Sequence, residues 1–180
     1  MEIEWATAET FRHITVEQFR PILDVLVKIE WPCPDSQIPL IIERLGWVHT
    51  RDLVAVEADT RLRLNWARAE FYQFDGHFTL LGFGVSDRVS KDDLAALRLV
   101  KNHFNLMIQD MESILGPRSH EDEDDDGLYG VSWDLESGGR IRLDRMSSGL
   151  QGRLLSQVLA DAERFEETHD MSEFYDDEDE

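Results

Sequence analysis

Asp122, Asp124 and Asp126 stand at alternate positions and Gly127 follows at once, the opening spacing of a calcium-binding loop. Such a loop presents oxygens from positions 1, 3 and 5, turns on a glycine at position 6 and closes with a bidentate glutamate at position 12. Counted from Asp122, the twelfth residue is Trp133. Two ligand oxygens are therefore missing, and the segment runs into a strand pattern where a second helix should follow. The sequence thus predicts no specific metal site here. The same residues, Glu121, Asp122, Glu123, Asp124, Asp125 and Asp126, form a continuous anionic run with Tyr129 beside it. That chemistry suits electrostatic capture of a basic protein, with the tyrosine as a local anchor.

The other reactive side chains do not assemble into a known machinery. Six histidines are scattered, with no His-Glu-x-x-His pair, and the single cysteine, Cys33, sits between two prolines. One thiol cannot build a structural zinc site. The glycines near 82–84 belong to no phosphate-binding loop, and Ser137-Gly138-Gly139 and Ser147-Ser148-Gly149 lack the G-x-S-x-G of a nucleophile elbow. The expectation is a protein without catalytic residues, without a cofactor and without a metal.

The charge balance narrows the partner class. The formal charge is -20, and residues 121–126 and 170–180 together hold thirteen of the acids, leaving about -7 for the rest. Acid concentrated in two segments repels nucleic acid and anionic membranes and attracts basic proteins. Apolar residues make up 42% of the chain, a globular composition. No apolar run approaches the ~20 residues of a membrane span. The N-terminus lacks the basic and apolar regions of a signal peptide, and one cysteine fits a reducing compartment, so the expected location is the cytoplasm.

The elements that must position these residues follow from periodicity. Residues 15–30 carry a helical stripe of Phe19, Ile22, Leu23, Leu26 and Ile29. Thr15 and Gln18 have capping-box spacing, but Pro21 argues for a start nearer Arg20. A short helix is expected from Ser36 to Leu45, ended by Gly46. "TRLRLNWA" alternates Leu62, Leu64 and Trp66 with polar residues and reads as a strand. Two further strands flank Asp75-Gly76, a hairpin signal. A long helix is expected over 91–115, opened by Ser90, and strands are expected at 129–135, around 141–143 and at 149–155. A last helix over 157–168 would carry Val158, Ala162 and Phe165 on its stripe. Trp66 and Trp133 fall on inward strand positions, whereas Trp5 and Trp47 lie beside loops and could anchor a partner.

The resulting fold class is α+β, with an antiparallel sheet of two hairpin or meander regions against a long helix, two N-terminal helices and a C-terminal helix. One domain is expected over 1–168, with an exposed acidic loop at 119–127 and a disordered acidic tail at 169–180.

Beyond these patterns, "IEWP" (29–32), "ERLGW" (43–47), "ILGPR" (114–118), "VSWDL" (131–135) and "LADAERFE" (159–166) resemble an uncharacterised family of small actinobacterial cytosolic proteins. The resemblance implies a binding role of the toxin-immunity kind, neutralising a basic toxin domain by masking its cleft, and supplies no catalytic residues. The alternative reading is a chaperone-like or structural accessory protein that self-associates or holds a partner on a helix face or sheet edge.

Overall fold

The computed structural model describes residues 4–123 and 127–169. Among them, four α-helices, α1 (Val16–Leu26), α2 (Ile38–Arg44), α3 (Leu94–Leu115) and α4 (Gln157–Thr168), accompany nine strands. The strands are β1 (Cys33–Pro34), β2 (Val48–Asp52), β3 (Val56–Asp59), β4 (Arg68–Phe74), β5 (His77–Gly84), β6 (His120–Glu123), β7 (Tyr129–Asp134), β8 (Arg140–Met146) and β9 (Gly149–Leu155). They form one sheet in the order β2-β3-β4-β5-β9-β8-β7-β6, with β1 attached to β5. All pairings between these strands are antiparallel. The α+β class expected from periodicity is therefore observed, and α3, at 22 residues, is its long helix.

One face of the sheet is apolar. Ala58, Phe71, Leu81, Phe83, Ile141, Leu143 and Leu154 are buried there in the same cluster as Phe19, Leu23 and Leu26 of α1, Ile38 and Ile41 of α2, and Phe104 and Met111 of α3. α3 packs on β8 and β9. The other face is polar; α4, lying on β5 and β9, covers part of it, and Trp66 lies over Gly84.

The turns follow local chemistry. Asp75 (φ 49°) and Gly76 (φ 74°) both adopt left-handed backbone between β4 and β5, as a two-residue hairpin of matching twist requires. α3 is capped by Asp93, whose carboxylate accepts from the Ala96 amide at 2.9 Å. The helix therefore starts at Leu94, three residues later than Ser90 would have set it. Leu94, the first residue of the helix, is 68% exposed.

Three further expectations are corrected. Thr15 and Gln18 do form the capping box, so α1 begins at Val16 and runs through Pro21. The missing proline amide would have met the Glu17 carbonyl, and both residues lie on the exposed side, where water can satisfy that oxygen. "TRLRLNWA" is not a strand but the connection between β3 and β4. Asn65 holds it, donating to the carbonyls of Glu4 and Arg88 and accepting from the Arg88 amide at 2.7 Å, while the buried Asp87 accepts from the Asn65 amide. Finally, residues 119–127 are not wholly loop: His120–Glu123 is the edge strand β6, paired with β7. Asp124, Asp125, Asp126 and the segment 170–180 lie outside the described residues.

Of the tryptophans, Trp133 is buried and Trp66 half-buried under Arg88, whose guanidinium sits 3.5 Å from the ring centroid. Trp47, considered as a partner anchor, is instead core, and Trp5 remains half-exposed.

His13 and His103 stack at 3.8 Å between the N-terminal segment and α3, with Phe11 against His103. Burial, then the neighbouring His13, push the His103 pKa down. A depressed histidine pKa means that the unfolded chain takes up the proton first, so this stability is present above about pH 6.5 and is lost as pH falls through the folded value. We expect the thermal midpoint of the parent to drop between pH 7 and 5.5 by more than that of His103→Gln. Parallel curves in calorimetry would remove the histidine pair from the pH response.

Candidate functional site

The acidic run maps onto the β6 edge of the sheet and divides between two faces. Successive strand residues point to opposite sides. His120 and Asp122 turn toward α4, whereas Glu121 and Glu123 turn toward α3. Tyr129, paired with Glu123 in the β6–β7 ladder, lies on the α3 side, with its ring edge-on to Phe104 at 5.6 Å.

On the α3 side, Arg118 donates to Glu112 at 2.8 Å and to Glu121 at 2.9 Å. The Tyr129 hydroxyl donates to Glu121, and that bond, followed by Arg118, holds the Glu121 carboxyl below its usual range. Glu121 and Glu123 are exposed. Phe104, Arg118, Tyr129 and Arg145 help to line a groove of about 560 Å³ beside them.

On the α4 side, Asp122 is taken up internally. Its carboxylate accepts from Arg142 Nη2 at 2.8 Å, and Arg142 Nε donates to Asp144 at 2.7 Å. Arg153 closes the chain of charges on the other Asp144 oxygen at 2.5 Å. Arg142 reaches Asp122 by passing over Gly130, where any Cβ would collide with Nη2. Burial pushes the Arg142 pKa down, but the two carboxylates outweigh it and the net shift is upward. The guanidinium therefore stays charged although the residue is only 9% exposed.

Arg140, next along the same face, is 1% exposed and ties α4 to the sheet. It donates to Asp134 at 2.9 Å, to Glu163 at 3.0 Å and to Glu167. Arg164 adds bonds from α4 to Asp134 at 2.6 Å and to the Gly138 carbonyl at 2.8 Å. Burial raises the Asp134 pKa, but Arg140 and Arg164 reverse that and hold it low. Periodicity predicts an apolar stripe of Val158, Ala162 and Phe165 on α4. In the structure Val158 is 75% and Phe165 48% exposed, and Ala160 is the buried apolar residue of this helix. α4 is an electrostatically docked helix.

This docking has one consequence for the acidic residues. His120 Nε2 lies 3.8 Å from Glu167 Oε1, so β6 and the last turn of α4 are neighbours. The chain leaves β6 into Asp124–Asp126, and it leaves α4 after His169 into the acidic segment 170–180. The roots of two acid runs far apart in sequence thus lie along the same sheet edge, the chain leaving β6 at Glu123, three residues beyond the His120 contact. A cleft of about 280 Å³ between the two roots is lined by His120, Asp122, Arg142, Arg153, Glu163 and Glu166, among others. Sequence inspection finds the runs but not their adjacency. It also misses Arg140, Arg142 and Asp144, whose alternation with Ile141 and Leu143 reads as a wet strand face.

Among the described residues, no group of three or more His, Cys, Asp or Glu side chains is placed to hold a metal ion, and no helix is long and apolar enough to cross a membrane. Cys33 is buried, and its thiol faces the Pro34 carbonyl at 3.7 Å.

The chain belongs to a family of unknown function, DUF6301, whose model matches residues 17–156. The match spans α1 through β9 and stops at the root of α4. No curated protein and no solved structure matches the chain.

Proposed function

We propose that the chain is a non-catalytic binding protein that captures a basic protein partner on the β6–α4 end of its sheet. The observation that supports it is the His120–Glu167 contact, which sets the strand that opens one acid run beside the helix end from which the other continues. The arginines nearest this end, Arg118, Arg140 and Arg142, are engaged with their own carboxylates. Glu121, Glu123 and Glu166 remain exposed there. Acid outweighs base along this edge, although Lys101 and Arg145 line the groove on the α3 side. A predominantly acidic surface accelerates encounter with a basic cleft, to as much as ~10⁸ M⁻¹s⁻¹ or above at low salt. Tyr129, with Phe104 behind it, supplies a rigid aromatic next to the charges, while Asp122 fixes the edge strand through Arg142.

The finer reading is a cytoplasmic protein of the immunity or antitoxin kind, covering the cationic cleft of a secreted toxin domain. A nuclease that grips phosphates would present such a cleft. The test begins with affinity capture of a salt-eluted basic protein from the source cells. Stopped-flow association of that protein is then compared for the parent and for the variant Glu121→Gln, Glu123→Gln, Asp124→Asn, Asp125→Asn, Asp126→Asn. At low salt the variant should associate about tenfold more slowly, with a flatter salt dependence and a nearly unchanged dissociation rate, because exposed rim charges act on encounter. Equal association rates would reduce the acid runs to solubilising segments.

A further inference from the structure

Among the described residues, the strand order from β2 to β6 ends in two edges of opposite character. β6 is guarded by carboxylates, as edge strands that must not pair with a copy of themselves commonly are. β2, at the far end, is exposed at all five positions. Its charges are internally matched: His49 Nε2 meets Asp52 Oδ1 at 2.8 Å, and Arg51 Nε meets Glu57 at 2.5 Å. Apolar side chains stand out around it, with Val48 42%, Leu53 67% and Val54 89% exposed. In a chain of net charge -20, this is a charge-balanced, partly apolar edge at the end of the strand order.

We infer that β2 is a self-association edge, where a second copy of the chain pairs antiparallel across a two-fold axis. Two arguments select a second copy as the occupant. The first is self-complementarity. With the axis between Thr50 and Arg51, His49 lies opposite Asp52 of the other copy, and Val48 meets Leu53, the first residue of the bend beyond β2. Apolar thus meets apolar, and the histidine–carboxylate pair is repeated across the axis. The second is the position of the acid. Eight strands separate β2 from β6 inclusively, so joining two sheets through β2 puts the two β6 edges on the order of 70 Å apart at ~4.8 Å per strand. Screening acts over about 8 Å at physiological salt, so the acidic ends do not oppose this dimer. The β2–β3 register shifts between His49 and Arg51, and this bulge shortens the straight run. The pairing is consequently a weak, concentration-dependent equilibrium and not a permanent dimer.

Sedimentation equilibrium of the full chain tests it. The mass should rise from 20.9 kDa toward twice that value with increasing concentration, with little dependence on salt. Val48→Lys alone and Leu53→Asp alone should each weaken association, since each sets a charge against an aliphatic group. The double variant Val48→Lys, Leu53→Asp sets the new ammonium of one copy against the new carboxylate of the other and should restore it. Both positions are exposed, so circular dichroism should stay that of the parent. A monomer at every concentration would overturn the inference, as would single variants that dimerise like the parent or a double variant weaker than either single. Glu121→Gln with Glu123→Gln should leave the equilibrium unchanged, which separates this edge from the proposed partner surface. A dimer that forms only at high salt would mean that the acidic ends meet, and would also overturn it.

Discussion

Arg140→Ala should destabilise the protein by about 3–5 kcal/mol, the range for removing one partner from a buried ion cluster. The side chain is 1% exposed and holds three carboxylates from two elements. Without it, Glu163 and Glu167 lose their closest cation under α4 and Asp134 keeps only Arg164. These carboxylates are themselves 19–36% exposed, so water offsets part of that loss and the lower half of the range is the better expectation. Ala160 is too small to hold α4 by itself, since burying one methyl is worth only about 0.8 kcal/mol. The first effect should therefore be release of α4, visible as faster amide exchange over 157–168 before the sheet opens. Arg140→Met combined with Glu163→Gln and Glu167→Gln should recover much of the loss, because it removes the stranded charges together with the cation. If Arg140→Ala unfolds at the parent's denaturant midpoint with α4 still protected, the helix is held by something other than these charges.

How much of this was legible in the sequence depends on how far apart the decisive residues lie. The β4–β5 hairpin could be read from Asp75-Gly76 because the turn conformation is a property of two adjacent residues. The stripe of α3 could be read because Val100, Phe104, Met107, Ile108 and Met111 repeat on one helix face, and all five are buried. "TRLRLNWA" misled for a physical reason. Arg61 (φ 60°) and Arg63 (φ 56°) adopt left-handed backbone, so the leucine alternation comes from kinks and not from a pleat. Leu64 still reaches the core, at 8% exposure.

The charged elements were the least legible. A run such as HEDE looks like a solvated loop because its countercharge, Arg142, lies 20 residues away. The partners of Arg140 on α4 lie 23 and 27 residues away. The available signal was the i,i+4 spacing of Glu163 and Glu167 together with the Arg140/Arg142/Asp144 alternation. Neither identifies the other until β8 and α4 are placed against each other.

Trp133→Ala should cost about 3–5 kcal/mol, the usual loss for a large aromatic truncated in a core. Trp133 is 1% exposed, pairs with Ile141 in the β7–β8 ladder and belongs to the main apolar cluster. Its indole Nε1 also donates to the Gly116 carbonyl at 3.2 Å. Gly116 is the left-handed residue (φ 87°) that ends α3, so the indole fastens the end of the helix to β7, the strand next to the β6 edge. Trp133→Phe separates the two contributions. It keeps most of the packing and leaves one carbonyl without its donor, which should cost nearer 1–3 kcal/mol. Urea unfolding followed by circular dichroism would measure both.

The position of Gly116 extends the consequence to function. From it the chain passes through Arg118 and Ser119 into β6, with the Ser119 amide donating to the Ser132 carbonyl and its hydroxyl accepting from the Asp134 amide. Loosening Trp133 therefore loosens the strand that presents Glu121 and Glu123, and partner association should weaken in step with stability across the Phe and Ala variants. A Trp133→Ala protein that keeps its stability but loses partner binding would instead assign the indole to the interface.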